Sequence, residues 1–216
     1  MNIISTKLDD YYINPYKFIY KKESTIIDIL DKLISNSNNK GHNVIIKEEN
    51  DNKFNPLLFK LVANNNVGQL ENTLINNKNI NVNEQDKDGD TPLHIAVFLC
   101  NIQIVSILLN NNANLLIKDK WGQIPIHRLC FSINDVKILE LINIFLKLNN
   151  KNIFNEQDNY GNTALHLILK HIIKNKILLT NIHKLIIKNI KKIMNIKIKN
   201  NDNQNINDLI KIINNS

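Results

Sequence analysis

The sequence predicts an all-α protein, a solenoid of stacked helix pairs with β-turn or hairpin fingers, comprising about four repeats and a terminal half repeat. Three tetrapeptides, Thr91–His94 (TPLH), Ile124–His127 (IPIH) and Thr163–His166 (TALH), recur at spacings of thirty-three and thirty-nine residues. Each follows an Asp-x-x-Gly turn. A period of this length that coincides with a turn and a tetrapeptide is typical of repeat proteins, whose units bury their apolar faces only by stacking.

The most regular repeat, Asp86–Asp119, shows how the residues specify each unit. Gly89 occupies a turn position that requires positive φ. Thr91 is a good N-cap and Pro92 suits the first helical position, so a short inner helix is predicted over Pro92–Leu99. An outer helix follows, and the Asn-rich turn after it tolerates a left-handed residue. The predicted apolar face of the outer helix consists of Ile104, Val105, Ile107, Leu108 and Leu109.

The other elements are predicted from the same patterns, taken in chain order. Residues 1–52 form an N-terminal segment. Its aromatic Met1–Tyr20 either straps the first repeat or binds a partner, and its helix Thr25–Ser35 is a candidate for the outer helix of a degenerate capping repeat. Residues 53–216 carry the repeats, beginning with a diverged repeat at Asn55–Glu84. Outer helices are predicted near Val67–Ile75 and near Val136–Leu148, with a loose helix start at Ile124 between them. In the fourth repeat the inner helix continues past His171, and the outer helix carries the apolar stripe Ile182, Leu185, Ile186, Ile190 and Ile193. A finger at Asn195–Asn203 and a final inner helix from Asn205 complete the predictions.

Composition argues against several classes of protein. Asn, Ile and Lys make up about half of the chain, and we attribute this bias and much of the formal charge of +7 to an A/T-rich genome. Arg128 is the only arginine, whereas a nucleic-acid reader would use more. Cys100 and Cys130 give no disulfide framework or zinc spacing, which predicts an intracellular protein of the cytoplasm or nucleus. No apolar run reaches the length of a membrane span.

The tetrapeptides and turns resemble those of the ankyrin-repeat family. The resemblance covers residues 53–216 and implies that His94, His127 and His166 hydrogen-bond the neighbouring turn. Being one repeat apart, these imidazoles should lie roughly 10 Å from each other, whereas zinc ligands lie within about 2 Å of one ion. We therefore predict no metal, no cofactor and no catalytic activity.

The resemblance also implies which positions bind a partner protein, because family members use finger tips and the exposed face of inner helices. Exposed aromatics on one face are typical of interface hot spots. The alternative is that the aromatics pack between neighbouring fingers and helices. The predicted partner-binding residues are Lys87, Asp88, Asp90, Phe98 and Leu99 in the second repeat, Lys120, Trp121, Gln123 and Phe131 in the third, and Tyr160 and Lys170 in the fourth, with Ser132, Asn159, Asn162 and His171 at equivalent positions.

The predicted function is a monomeric protein-interaction module. Its composition and irregular spacing resemble ankyrin proteins of large DNA viruses, especially poxvirus-type ones, although a protozoan source is also compatible. The viral resemblance implies a host-range or immune-modulating role, similar to that of short viral proteins resembling inhibitors of NF-κB. The alternative is a nucleic-acid or anionic-membrane binder that uses the ten lysines from Lys170 to Lys211.

Overall fold

A computed structural model describes residues 56–132, 137–148 and 151–215, all within the unit Lys53–Ser216. The expectations for Met1–Tyr20 and Thr25–Ser35 lie outside the described residues, as does Asn55, the first residue of the predicted diverged repeat. Every regular element in the described part is helical, so the fingers contain turns and no strands there. The elements are α1 (Pro56–Ala63), α2 (Val67–Asn76), α3 (Pro92–Phe98), α4 (Ile102–Asn110), the 3₁₀ helix η1 (Pro125–Ser132), α5 (Ile138–Lys147), the 3₁₀ helix η2 (Lys151–Asn155), α6 (Ala164–Lys174), α7 (Asn181–Lys191) and α8 (Ile206–Asn214).

The helices form two rows. In the inner row, α1 contacts α3, α3 contacts η1, η1 contacts α6 and α6 contacts α8. In the outer row, α2 contacts α4 and α5 contacts α7. The contacts of α1 with α2 and of α3 with α4 join the two rows. Two of the predicted helix pairs, α1 with α2 and α3 with α4, are thus in contact, and the helices follow the predicted order.

The core lies between the two rows, where apolar stripes meet. Leu93 and Val97 of α3 and Ile104, Val105 and Leu108 of α4 have no exposed surface. Burying one such side chain stabilises the fold by roughly 1.5–3 kcal/mol. One member of the predicted stripe on α7 differs, because Leu185 remains 42% exposed while its neighbours at Ile186 and Ile190 are buried.

The inner element of the third repeat is a 3₁₀ helix, whereas its neighbours α3 and α6 are α-helices. Thr91 and Thr163 start those α-helices in capping boxes with the histidine three residues on. Ile124 has no side-chain oxygen, and its backbone N–H and its carbonyl oxygen each lie 3.2 Å from His127 Nδ1. The expected looser start at Ile124 accordingly takes the form of a 3₁₀ geometry across the element.

Left-handed residues close several helices without glycine. Asn65 (φ 56°), Cys100 (φ 51°) and Lys176 (φ 49°) each follow the end of an inner helix. Asn112, at φ 65°, occupies the Asn-rich turn after α4, where the sequence predicts a left-handed residue. For a residue other than glycine or asparagine this conformation costs roughly 1–2 kcal/mol, so the structure carries strain at Cys100 and Lys176.

Candidate interaction surface

Each finger is a turn held by one side-chain oxygen. Oδ1 of Asp119 accepts hydrogen bonds from the backbone N–H groups of Trp121 and Gln123, both at 2.8 Å. Asp86 and Asp158 make the same pair of bonds in the fingers before and after it. Asn200 does so in the last finger, which confirms the predicted finger at Asn195–Asn203.

Successive fingers are joined edge to edge by the backbone. The Lys120 N–H donates to Asp88 O at 3.0 Å, and the Asn159 N–H donates to Trp121 O at 2.9 Å. The turn glycine makes this approach possible. A Cβ on Gly122 (φ 74°) would lie 2.9 Å from Asn159 N, closer than real Cβ contacts allow.

The signature histidines join each inner helix to the next finger, as the resemblance implies. Nε2 of His94 bonds Gln123 O at 3.0 Å, His127 bonds Asn162 O at 3.2 Å, and His166 bonds Gln204 O at 3.1 Å. Burial lowers the pKa of His94 to about 4, and burial also lowers the pKa of His127 and His166. At neutral pH these imidazoles are therefore uncharged structural links.

Arg128 organises a buried ionic cluster that sequence reasoning did not find. Its guanidinium has no exposed surface, and it donates to Asp90 Oδ1 at 2.6 Å and to Asp119 Oδ2 at 2.5 Å. It also donates to Gln123 Oε1 at 3.1 Å. The cluster ties the second finger to the third, because Asp90 and Asp119 belong to different repeats.

This cluster corrects two predicted surface residues. Asp90 is 2% exposed and Gln123 is 1% exposed, so neither is displayed to a partner. Asn162, at the equivalent position of the fourth repeat, is also buried. Gln123 Nε2 donates to Asp158 Oδ2 at 3.3 Å, and Asn200 Nδ2 donates to Asn162 Oδ1 at 3.2 Å, so polar side chains link the fingers beneath their surface.

The tip of the third finger carries a cation–aromatic contact. Nζ of Lys120 forms an ion pair with Asp88 and lies 4.2 Å from the centroid of the Trp121 ring. Arg128 Cζ lies 5.8 Å from the same ring, on the buried side. Trp121 is half-buried, and Lys87, which precedes Asp88 in the second finger, is exposed. Such contacts are worth about 0.5–1 kcal/mol at exposed sites and hold the ring in one orientation.

Three rings form a row along the inner helices, which we call the aromatic row: Phe98, Phe131 and His171. The centroids of Phe98 and Phe131 lie 5.8 Å apart with the rings tilted by 55°, and those of Phe131 and His171 lie 6.4 Å apart, edge to face. All three side chains are half-buried. The structure therefore brings together residues from three successive repeats, Phe98 and Phe131 at equivalent positions and His171 one position further along its repeat.

The remaining predicted residues lie around this row. Leu99, half-buried, is the C-cap of α3. Lys170 donates to Asp202 Oδ2 at 2.7 Å, so its charge is paired with the last finger. Tyr160 is 36% exposed at the tip of the fourth finger.

The sequence comparisons bear on the repeat with the most regular pattern. Residues 88–120 match the family model of the ankyrin repeat. No curated protein matches the chain. Ankyrin repeats are generally protein–protein interaction modules and are typically non-enzymatic. The matched segment contains α3, α4 and the turn at Gly89, so the ankyrin repeat supplies Phe98 and Leu99 of the candidate surface.

Outside the matched ankyrin repeat, one capping motif escaped sequence reasoning. The Thr180 N–H donates to His183 Nδ1 at 3.1 Å, and a capping box starts α7. The signal was present, because Thr180 and His183 have the same Thr-x-x-His spacing as Thr91 and His94.

The described residues contain no group of three or more His, Cys, Asp or Glu side chains that could hold a metal ion. Cys100 and Cys130 are buried free thiols, and burial raises the pKa of Cys130 to about 12, so it stays protonated. None of the described helices is long and apolar enough to cross a membrane.

Proposed function

We propose that the described helices form an ankyrin-repeat solenoid that binds a partner protein through the aromatic row and the neighbouring finger tips. The observation that carries the proposal is the row itself: three half-buried rings from three successive repeats, in contact along the inner helices. Large, partly exposed rings held by their neighbours lose little conformational entropy on binding, and interface hot spots favour such side chains.

The finger tips extend this surface. Lys87, Lys120, Trp121 and Tyr160 stand on three fingers that are joined by backbone hydrogen bonds. The fingers are therefore expected to present their side chains in a fixed register, which lowers the ordering cost of association. Asp90 and Gln123 take no part, since both lie in the buried cluster around Arg128.

Capture of partners from cell lysate by the full chain, with identification by mass spectrometry, tests the proposal. The test variant is Phe98→Ala/Phe131→Ala. The matched control is Ile75→Ala/Leu116→Ala, which removes two exposed apolar side chains outside the row, 57% and 44% exposed. Circular dichroism must show wild-type helix content for both variants.

A protein that is captured by wild type and the control, and lost with the test variant, supports the proposal. Capture by all three proteins alike would assign the rings to packing between helices. Capture of only nucleic acid or lipid, steeply weakened by salt, would instead favour the lysine-rich C-terminal helices.

A finer proposal concerns the setting. We propose that the protein acts as a monomer inside the cell, and that it is a viral host-range or immune modulator resembling inhibitors of NF-κB. The two free cysteines support an intracellular site, and the Asn/Ile/Lys bias with irregular repeat spacing supports a viral source. A transcription factor among the captured proteins would support the modulator role, and a set of captured proteins without one would contradict it.

A further inference from the structure

A groove of about 400 Å³ lies between α7 and α8. Ile187 of α7 and Ile210 and Ile213 of α8 line it, and all three are half-buried. These are apolar side chains on the rim of the core, away from the aromatic row and the finger tips. The groove is therefore a second apolar surface, distinct from the proposed partner-binding one.

The spacing of the lining residues shows the direction of the groove. Lys184, Ile187, Lys188 and Lys191 follow each other at intervals of three, one and three residues, so they form a stripe along α7. Ile210 and Ile213, three residues apart, lie on one face of α8. A groove that runs along two helices is shaped for a third helix lying beside them.

The packing of the two helix rows also favours a helix as the occupant of the groove. In the first two pairs an inner helix contacts its own outer helix, α1 with α2 and α3 with α4. Outer helices also contact the next outer helix, as in α2 with α4 and α5 with α7. A helix seated between α7 and α8 would repeat both contacts, since α7 is an outer helix and α8 an inner one.

Three lysines give one wall of the groove a positive charge. Lys184 and Lys188 are exposed, and Lys191 donates to Asn207 Oδ1 at 3.4 Å. Within the described ranges none of these three lysines has a carboxylate within ion-pair distance. Their charge is complementary to Asp and Glu side chains on an approaching surface.

We propose that this groove binds an acidic amphipathic helix of a partner protein. Its apolar face would cover Ile187, Ile210 and Ile213, and its carboxylates would pair with the lysines of α7. A nucleic acid offers no apolar face for the isoleucines, and the groove contributes no aromatic ring on which bases could stack. A second copy of this groove would oppose lysine to lysine, so pairing of two grooves is disfavoured.

A randomised library of helical peptides displayed on phage, selected on the full chain, tests the proposal. The groove variant is Lys184→Glu/Lys188→Glu/Lys191→Glu. The control, Lys78→Glu/Lys147→Glu/Lys197→Glu, changes net charge equally at exposed lysines outside the groove. Binding of the selected peptides is then measured by fluorescence anisotropy, with circular dichroism to check that each variant is folded.

The proposal expects enriched peptides with apolar residues at helical spacing beside Asp or Glu. The groove variant should bind them about tenfold more weakly, while the control and Phe98→Ala/Phe131→Ala stay within about twofold of wild type. Selected peptides without acidic residues, or with equal affinity for groove variant and control, would overturn the proposal. It is also overturned if no groove-dependent peptide is enriched, or if duplex DNA or phosphatidylserine vesicles show the groove dependence that the peptides lack.

Discussion

Replacing Arg128 of η1 by methionine should strongly destabilise the protein, because this residue pairs with carboxylates of the second and third fingers. Methionine has a similar length and no charge, so it fills the space while leaving the carboxylates of Asp90 and Asp119 buried without their cation. Asp119 keeps its two turn bonds to Trp121 and Gln123, because these use the other carboxylate oxygen.

The expected loss follows from the burial. Breaking a fully buried ion pair by removing one partner typically costs about 3–5 kcal/mol, since the remaining charge is left uncompensated. Arg128 has two such partners within 2.6 Å and no exposed surface, so the upper half of that range is expected. With a urea m-value of about 2 kcal/mol per molar, the unfolding midpoint should fall by roughly 2 M.

Urea titration, followed by tryptophan fluorescence, measures this loss of unfolding free energy with a probe beside the buried cluster. Trp121 is the only tryptophan, and its ring lies 5.8 Å from Arg128 Cζ, so the signal reports the finger that carries the cluster. The matched rescue is Arg128→Met/Asp90→Asn/Asp119→Asn. Asparagine keeps the turn bonds through its Oδ1 and removes the buried charge, so the triple variant should recover half or more of the lost stability.

Two results would refute this reasoning. A midpoint shift below about 0.5 M for Arg128→Met would mean that water or another group compensates the carboxylates, and that the ion pairs contribute little. A triple variant no more stable than the single variant would mean that the loss comes from packing and not from uncompensated charge.

Three further predictions concern single positions. Gly122→Ala should lower the free energy of unfolding by at least about 2 kcal/mol, because position 122 has positive φ and a Cβ there would clash with the next finger. Gly68→Ala should raise the free energy of unfolding by about 0.5 kcal/mol, because the space around a Cβ at this position of α2 is open. Urea titration measures both changes. Because the pKa of His94 falls from 6.5 to about 4 on folding, the unfolded state takes up the proton more readily. The stability of wild type relative to His94→Gln should therefore decline by about 3 kcal/mol as the pH drops from 7 to 4, and a pH-independent difference would contradict this. Lys176→Gly should raise the melting temperature by relieving a left-handed residue at φ 49°, whereas Lys174→Gly in the last turn of α6 should lower it.

The starts of the inner helices were predictable because their causes are local, whereas the bonds from the signature histidines to the next finger span 29 to 38 residues and were predicted only from the family resemblance. Thr91, Pro92 and His94 lie within one turn of α3, and a cap, a fixed φ and an imidazole three residues on act through short range. The helix starting at Thr163 repeats this chemistry. The same rule, applied to Ile124, foresaw a weaker start, but the 3₁₀ geometry of η1 is seen only in the folded chain.

The buried cluster was not predictable because it depends on distant residues. Arg128 takes a place in the inner helix where the neighbouring repeats have Ile95 and Leu167, so its sequence context is apolar. The sequence suggested that Asp90 and Gln123 face outward, as finger residues next to the turn glycine do in the resembled family. A buried arginine requires anionic partners, and only the folded chain shows that Asp90 and Asp119 provide them.

In most folds, the length of a segment and its lateral alignment with the neighbouring segments change together. In this chain, the contacts between fingers show that the length of a repeat changes while the alignment of neighbouring fingers does not. The signature spacing grows from thirty-three to thirty-nine residues, yet the bond between adjacent fingers stays at 3.0, 2.9 and 3.0 Å along the stack. Additional residues are therefore absorbed in the helices and in the connections between them, while the fingers keep their alignment. Insertions and deletions in the helices and their connections, whether by evolution or by design, can thus change the helical side of the molecule and leave the finger side unaltered.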